Sequence, residues 1–428
     1  MILDRINGPK DLKTLNAAER KELAQEIRQA MLKRASIHGG HFGPDFGIVE
    51  ATIALHTVFD SPKDKIVWDV SHQVYPHKIL TGRKQAYLEE EHYDDVSGYS
   101  NPAESEHDFF EVGHTSTSIS LASGLAMARD LRGGHENIIA VIGDGSMSGG
   151  EALEGLDTVG EMGTNMIIVL NDNQMSIAEV HGGMYKGFEE LRRTGGKSEH
   201  NLFRAMGLDY RFVADGNDSE ALIKTFREVK DIDHPVVVHI VTQKGKGYKF
   251  AEENKESWHW HMPFDIETGE VKQPYVDEAA ELTASYLLDR LKTDKKLAIL
   301  TAATPASFGF TPERRKQAGK QFIDVGIAEE QAVAMASGLA KGGARPVFGD
   351  YATFFQRTYD QISQDVCINN NPAVFLVFGA SMYSMNDVTH LCIFDIPMMA
   401  NIPNLVYLAP VSLAEYKAML AWALDQTD

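Results

Sequence analysis

Two short runs, Gly143-Asp144-Gly145 and Asn171-Asp172-Asn173, set an aspartate and an asparagine 29 positions apart. Each follows an apolar run, Ile138–Ile142 and Met166–Leu170. Apolar runs of that length bounded by Gly, Asp or Asn read as buried parallel strands, which puts both polar residues at the C-terminal edge of neighbouring strands, where doubly wound sheets bind ligands. One reading of the first run is a dinucleotide-binding glycine fingerprint. The run Gly143-Asp144-Gly145-Ser146-Met147-Ser148 supplies two of its glycines and lacks the third. An aspartate against a bare pyrophosphate also costs repulsion in a poorly hydrated cleft. That aspartate becomes useful when a divalent cation bridges it to phosphate oxygens. Magnesium takes an octahedron of hard oxygen donors. Asp144, Asn173 and the backbone carbonyl of Met175 offer three, and phosphate oxygens and water would complete the set. The structural alternative is a pair of turn residues that cap helices.

Other residues invite chemical readings of their own. His72 and His77, in Ser-His-Gln-Val-Tyr-Pro-His, are five apart and do not share a helical face as a spacing of four would, which argues against a zinc pair. Lys244 sits in a basic glycine turn, TQKGKGY, as a candidate phosphate contact or a solvated surface lysine. Thr194-Gly195-Gly196-Lys197-Ser198 echoes a phosphate-binding loop, but Leu191 stands where that motif needs its leading glycine.

The elements that must position these residues follow from periodicity. Asn16 and Glu19 stand in capping-box spacing ahead of Leu23, Ile27 and Met31, which predicts a helix. Strands are predicted at Ile138–Ile142, Met166–Leu170 and Val236–Val241, with helices over Gly149–Glu161 and Ser219–Val229. A polar stretch and a helix (residues 276–294) then act as a linker, and the pattern restarts with strands at Leu297–Thr301, Phe322–Val325, Val347–Tyr351, Val374–Phe378 and Leu405–Leu408, and a helix at Ser412–Leu424. The fold class expected is α/β, with two doubly wound, mostly parallel sheets in domains 1–275 and 295–428.

Composition narrows the function classes. The chain of 428 residues carries 41 Lys+Arg against 61 Asp+Glu, a formal charge of −20. Such a chain repels nucleic acid and anionic membranes, so any anionic ligand must be held locally by a metal, a helix N-terminus or a few placed cations. Cys367 and Cys392 are too few for a disulfide framework. The charged N-terminus does not read as a signal peptide, and no apolar run reaches the roughly 18 residues that suggest a membrane span. A cytoplasmic enzyme is the expectation.

GDG followed by NDN resembles the diphosphate-binding motif of thiamine-diphosphate enzymes. The wider text is similar to the deoxyxylulose-phosphate synthases of the transketolase superfamily, through Ile66–Arg83 (IVWDVSHQVYPHKILTGR), Val112–Ser120 (VGHTSTSIS), Thr242–Tyr248, Asp324–Val333 (DVGIAEEQAV) and Tyr351–Gln361 (YATFFQRTYDQ). The resemblance implies thiamine-diphosphate-binding domains of the transketolase type, with thiamine diphosphate and Mg2+ as cofactors. It also implies decarboxylation of pyruvate and transfer of the two-carbon unit to glyceraldehyde 3-phosphate, giving 1-deoxyxylulose 5-phosphate for isoprenoid and thiamine biosynthesis. Asp144, Asn173 and Met175 would hold the metal. Glu329, in IAEEQ, would activate the cofactor, with Glu330 as a decoy and a helix-dipole role as the alternative. Phe354 would stack on the pyrimidine or belong to the core. His41, His72 and His390 would act in catalysis, and His72, Gly113, His114, Thr115, Gly145, Ser146 and Lys244 would contact the cofactor. His41, His259, Tyr351 and Arg357 would line the substrate. Partners would be small molecules and a second copy in a homodimer, with no nucleic acid and no membrane.

The chain departs from the family on the acceptor side. Phe378-Gly379-Ala380-Ser381 stands where the family has Asp-Arg-Ala-Gly, whose arginine grips the acceptor phosphate, and Asn386 replaces an aspartate four before His390, with Asp387 next to it. The family also has a third domain beyond the point where this chain stops, and the connection after Asn173 is short. Two rivals follow: a ketol transferase with a different, unphosphorylated acceptor, and a cofactor-binding fragment without full activity.

Overall fold

The structure, a computed structural model, describes residues 1–380 and 388–427. It separates into two compact units, Met1–Pro274 and Tyr275–Asp428.

The first unit is built on β2 (Lys65–Trp68), β3 (Ile138–Gly143), β4 (Met166–Asp172), β5 (Asp209–Val213) and β6 (Pro235–Val241), all parallel in the order β2-β3-β4-β6-β5. Both faces are covered, which is why the central strands read as unbroken apolar runs. Ile139, Val141, Ile167 and Val169 pack with the helices Val49–Val58 and Ser219–Val229 on one side. Ile138, Ala140, Ile168 and Leu170 pack with Ser118–Leu131 and Gly150–Met162 on the other. A two-stranded antiparallel ribbon, β1 (Gly40–His41) with β7 (Trp260–His261), pairs His41 with Trp260. Asn16 caps the helix Ala17–His38 by accepting from the Ala18 and Glu19 amides while Glu19 accepts from the Asn16 amide.

The second unit holds β8 (Leu297–Thr301), β9 (Phe322–Asp324), β10 (Arg345–Tyr351) and β11 (Val374–Phe378), parallel in the order β11-β10-β8-β9. The segment expected as a linker contributes the helix Glu278–Leu291, whose Ala284, Leu287 and Leu291 join Leu297, Ile299 and Val347 in this unit's core. The helix Glu329–Lys341 covers the opposite face through Ala332 and Val333.

Strand assignments differ from the sequence reading at the short β1 and β7, which were not anticipated, at β2 and β5, and at residues 405–408. β2 and β5 were not anticipated; both lie at sheet edges, and β5 (Asp-Tyr-Arg-Phe-Val) has the mixed polarity of a half-covered strand. The strand expected at Leu405–Leu408 does not form. No strand among the described residues flanks it: Leu405 packs against the core, but Val406 is 64% exposed and the backbone there has no ladder to join.

Candidate active site

The paired strand ends place the first cluster. Gly143 is in register with Asn171, and the Asp144 amide donates to the Asn171 carbonyl (3.0 Å). Asp144 is buried. Its Oδ2 accepts from the Gln174 amide (2.8 Å), and no described group hydrogen-bonds Oδ1. Gln174 takes a left-handed φ of 65°, which turns the chain so that the Met175 amide donates to Asn173 Oδ1 (3.1 Å). This loop lies hard against the Gly-Asp-Gly turn: a Cβ on Gly145 would stand 2.7 Å from Ser176 Cβ and 2.9 Å from its Cα. Burial, and then the charge of Asp172, push the Asp144 carboxyl well above its usual range. Asp172 itself turns to His239 (2.8 Å) and Arg192, which hold it as a carboxylate despite burial.

A buried carboxylate oxygen with no donor, an amide oxygen with a lone pair to spare and a neighbouring backbone carbonyl form a hard-oxygen set that fits a divalent cation. Lys244 backs the same loop. It is 1% exposed and not a surface lysine; its Nζ donates to the Ser176 carbonyl at 2.6 Å. Burial draws its ammonium down to about 7, against the pull of Asp144.

The second cluster gathers histidines. The ring centroids of His41 and His72 are 4.9 Å apart, those of His72 and His259 4.9 Å, and those of His41 and His259 5.7 Å; Tyr99 lies 5.5 Å from His41. Burial, followed by Lys244, His72 and His41, keeps His259 neutral. His72 follows Val70 and Ser71, both in the left-handed region (φ 49° and 59°). For a β-branched valine that backbone is strained, and such strain collects at functional sites.

The loop with Gly113, His114 and Thr115 is tied down by a residue the sequence reading missed. Buried Asp69 accepts from the Ser116 (2.8 Å) and Ser118 (3.0 Å) amides at the start of the helix Ser118–Leu131. Ser116 Oγ in turn donates to the carbonyl of Ser146 (2.8 Å), joining this loop to the Gly-Asp-Gly turn. An acid straight after the apolar run of β2 was the available signal, the same one that marked Asp144. His77 is a satisfied core histidine between His56 (2.9 Å) and Asp108 (2.9 Å), in keeping with the argument against zinc.

The second unit carries the rest. Glu329 opens the helix Glu329–Lys341, is 2% exposed, and has Arg357 Nη1 3.8 Å from Oε2, an oxygen that no described group hydrogen-bonds. Burial pushes its carboxyl up to about 7 even with Arg357 opposing. Phe354 meets the rings of Tyr351 (6.0 Å) and His390 (5.9 Å) nearly edge-on. Burial lowers His390 to about 4, so it is a neutral base at pH 7. Asn386 and Asp387 lie outside the described residues.

A family profile described as 1-deoxy-D-xylulose-5-phosphate synthase matches residues 3–198 and 194–242, and one described as transketolase, pyrimidine binding domain, matches 280–428. The 1-deoxy-D-xylulose-5-phosphate synthase of Clostridium kluyveri is 38% identical across 99% of this chain and 74% of its own. Synthase 1 of Geobacter metallireducens is 40% identical with the same coverage. Among solved structures, transketolase from Leishmania mexicana is aligned over 95% of this chain and 75% of its own, at 16% identity and a TM-score of 0.46. At 38–40% identity over almost its whole length, the chain belongs to the 1-deoxy-D-xylulose-5-phosphate synthase family.

Proposed function

We propose that this protein, working as a cytoplasmic homodimer with thiamine diphosphate and Mg2+, converts pyruvate and glyceraldehyde 3-phosphate into 1-deoxy-D-xylulose 5-phosphate and carbon dioxide, a precursor step for isoprenoids and thiamine. The observation that carries the reading is the pair of buried carboxyls, Asp144 just after β3 and Glu329 at the head of the helix Glu329–Lys341, each with an oxygen lacking a described hydrogen-bond partner. A buried carboxylate is stable only with a cation or donor supplied to it, and these two call for different ones.

Asp144, Asn173 and the Met175 carbonyl would hold the metal against the diphosphate, with Gly145, Ser146, Gly113, His114, Thr115 and Lys244 around it. Bound thiamine diphosphate supplies an electron sink for cleaving the carboxyl carbon from a 2-oxo acid. Glu329 would exchange a proton with a ring nitrogen of the aminopyrimidine, a task suited to a carboxyl poised near 7. Phe354 would lie on that ring. His41, His72 and His259 would donate to the donor carbonyl and exclude water, and His390, Tyr351 and Arg357 would serve the substrate from the second unit. Glu329→Gln keeps the shape and removes the titrating proton. It is expected to cut carbon dioxide release from pyruvate by about 10²–10⁴-fold while metal-dependent cofactor binding persists. Undiminished release would discard the assignment.

A second reading keeps the cofactor and changes the acceptor. Gly379 stands where the family arginine would be and adopts φ 73°, a backbone that an arginine would take only under strain. On this reading the acceptor is an unphosphorylated aldehyde. Comparing aldehydes with and without a phosphate separates the two. Loss of the phosphate should leave kcat/KM unchanged on the second reading and lower it by about 10–100-fold on the first, the worth of one charge-assisted contact.

A further inference from the structure

The helix Met184–Arg193 follows the turn after β4, and the reaction assigns it no role. Its Phe188 and Leu191 are buried in the core of the first unit with Ile168, Leu170 and Phe203. Phe188 stacks on Phe203 with ring centroids 5.9 Å apart and lies 5.7 Å from the ring of His239. Residues 185, 188 and 192 stand at the i, i+3, i+7 spacing of one helical face. Seating Phe188 in the core therefore turns Tyr185 and Arg192 the same way. Arg192 Nη1 donates to Asp172 Oδ2. Tyr185 Oη donates to the carbonyl of Asp144 (3.1 Å), with the Gly145 carbonyl at 3.4 Å. One helix thus ties down both turns that carry the metal donors, at Asp144 itself and at Asp172 beside Asn173.

The main chain of Asp144 is fixed by three bonds. Its amide donates to the Asn171 carbonyl (3.0 Å), and its carbonyl accepts from the Met147 amide (3.2 Å) as well as from Tyr185. The first two come from the neighbouring strand end and from the Gly-Asp-Gly turn itself. Tyr185 brings the third from an element seated in the core, with its own ring edge-on to Phe188 at 5.8 Å. A carbonyl oxygen has two lone pairs, and both are used here. Where this backbone is held decides where the Asp144 carboxylate points. Magnesium demands near-ideal octahedral geometry, so a donor whose backbone drifts binds it less well.

We propose that Tyr185 is a positioning residue for the metal site: through the Asp144 carbonyl, its hydroxyl holds the Asp144 carboxylate where a divalent cation needs it. The effect is exercised through the backbone and not by ligation. This deepens the reading of Asp144, Asn173 and the Met175 carbonyl as metal donors and rests on it.

The test uses the full chain with thiamine diphosphate and counts free Mn2+ by electron paramagnetic resonance in the wild type, Tyr185→Phe and Tyr185→Ala. Tyr185→Phe keeps the ring and the net charge and deletes one donor. Mn2+ affinity should fall by about 10-fold in Tyr185→Phe, the lower end of what losing a supporting hydrogen bond costs a metal site, and little further in Tyr185→Ala. The Mg2+ concentration for half-maximal carbon dioxide release from pyruvate should rise by the same factor, with the lost activity recovered as Mg2+ is raised. A hydroxyl that only steadies the fold would lower the thermal midpoint of the metal-free chain and leave Mn2+ affinity where it was. That result, a loss confined to Tyr185→Ala, or a fall in activity that no Mg2+ concentration restores would overturn the proposal. If the alanine variant does not fold, Tyr185→Phe decides alone. Should the wild type take up no Mn2+ with the coenzyme, the metal reading falls and takes this inference with it, an outcome visible before any variant is compared.

Discussion

Glu329 in the cofactor-free chain holds its proton to about pH 7, where an ordinary glutamate of 4.5 has long lost it. The folded chain therefore binds that proton more tightly than the unfolded one does. The resulting stability is fully present below the ordinary value and is lost as pH rises toward 7. Urea unfolding should show the wild type losing on the order of 2–3 kcal/mol more than Glu329→Gln between about pH 5 and about pH 8; parallel pH profiles would contradict the shift. Residues of this kind were only partly legible in the sequence. The Asp144–Asn173 pair stands at the ends of recognisable strands, and Glu329 opens the helix that follows one, all inside specific motifs. Lys244 was harder, because its place depends on burial by a segment distant in sequence, the one that offers it the Ser176 carbonyl. Strain at Val70 and Ser71 leaves no mark in residue type at all.

At the scale of elements, the decisive part is the turn that follows β4. Residues 173–178 carry the Asn173 side chain and the Met175 carbonyl, and they rest on Gly145, where a methyl group would stand 2.7 Å from Ser176 Cβ. Gly145→Ala must push the two turns apart. It is expected to cost about 1–3 kcal/mol of stability and to weaken metal-dependent cofactor binding by about 10–100-fold, measured by thermal unfolding and calorimetry on the same sample. Normal binding with only the stability loss would show that the loop does not position the metal donors. The strands beside this turn were readable because both faces of β3, β4 and β6 are buried, so apolar residues run on without a break. β2 and β5 were not, since an edge strand shows its period only faintly over four or five residues. The apolar run at Leu405–Leu408 misled for the opposite reason: strand-like composition does not make a strand where no neighbouring strand among the described residues supplies a ladder.

Taken as a whole, the molecule is an anion that must capture an anion. With a formal charge of −20, its own field opposes a diphosphate, and Lys244, hydrogen-bonded to the Ser176 carbonyl, sits near neutrality at about 7. On the proposed reading, attraction comes from an ion brought to Asp144. The broad division into two α/β units was readable from the interruption in periodicity, but the place of the helix Glu278–Leu291 was not, because its apolar face finds its partners in strands that follow it in the chain. No helix among the described residues is long and apolar enough to cross a membrane. The central claim is most directly tested by isothermal titration of the chain with thiamine diphosphate, with Mg2+ and after its removal by chelation. Binding should be tight with the metal and weaker by at least about 10²-fold without it, the loss expected when one divalent bridge between like charges is withdrawn. Equal affinity under both conditions, or no affinity under either, would contradict it.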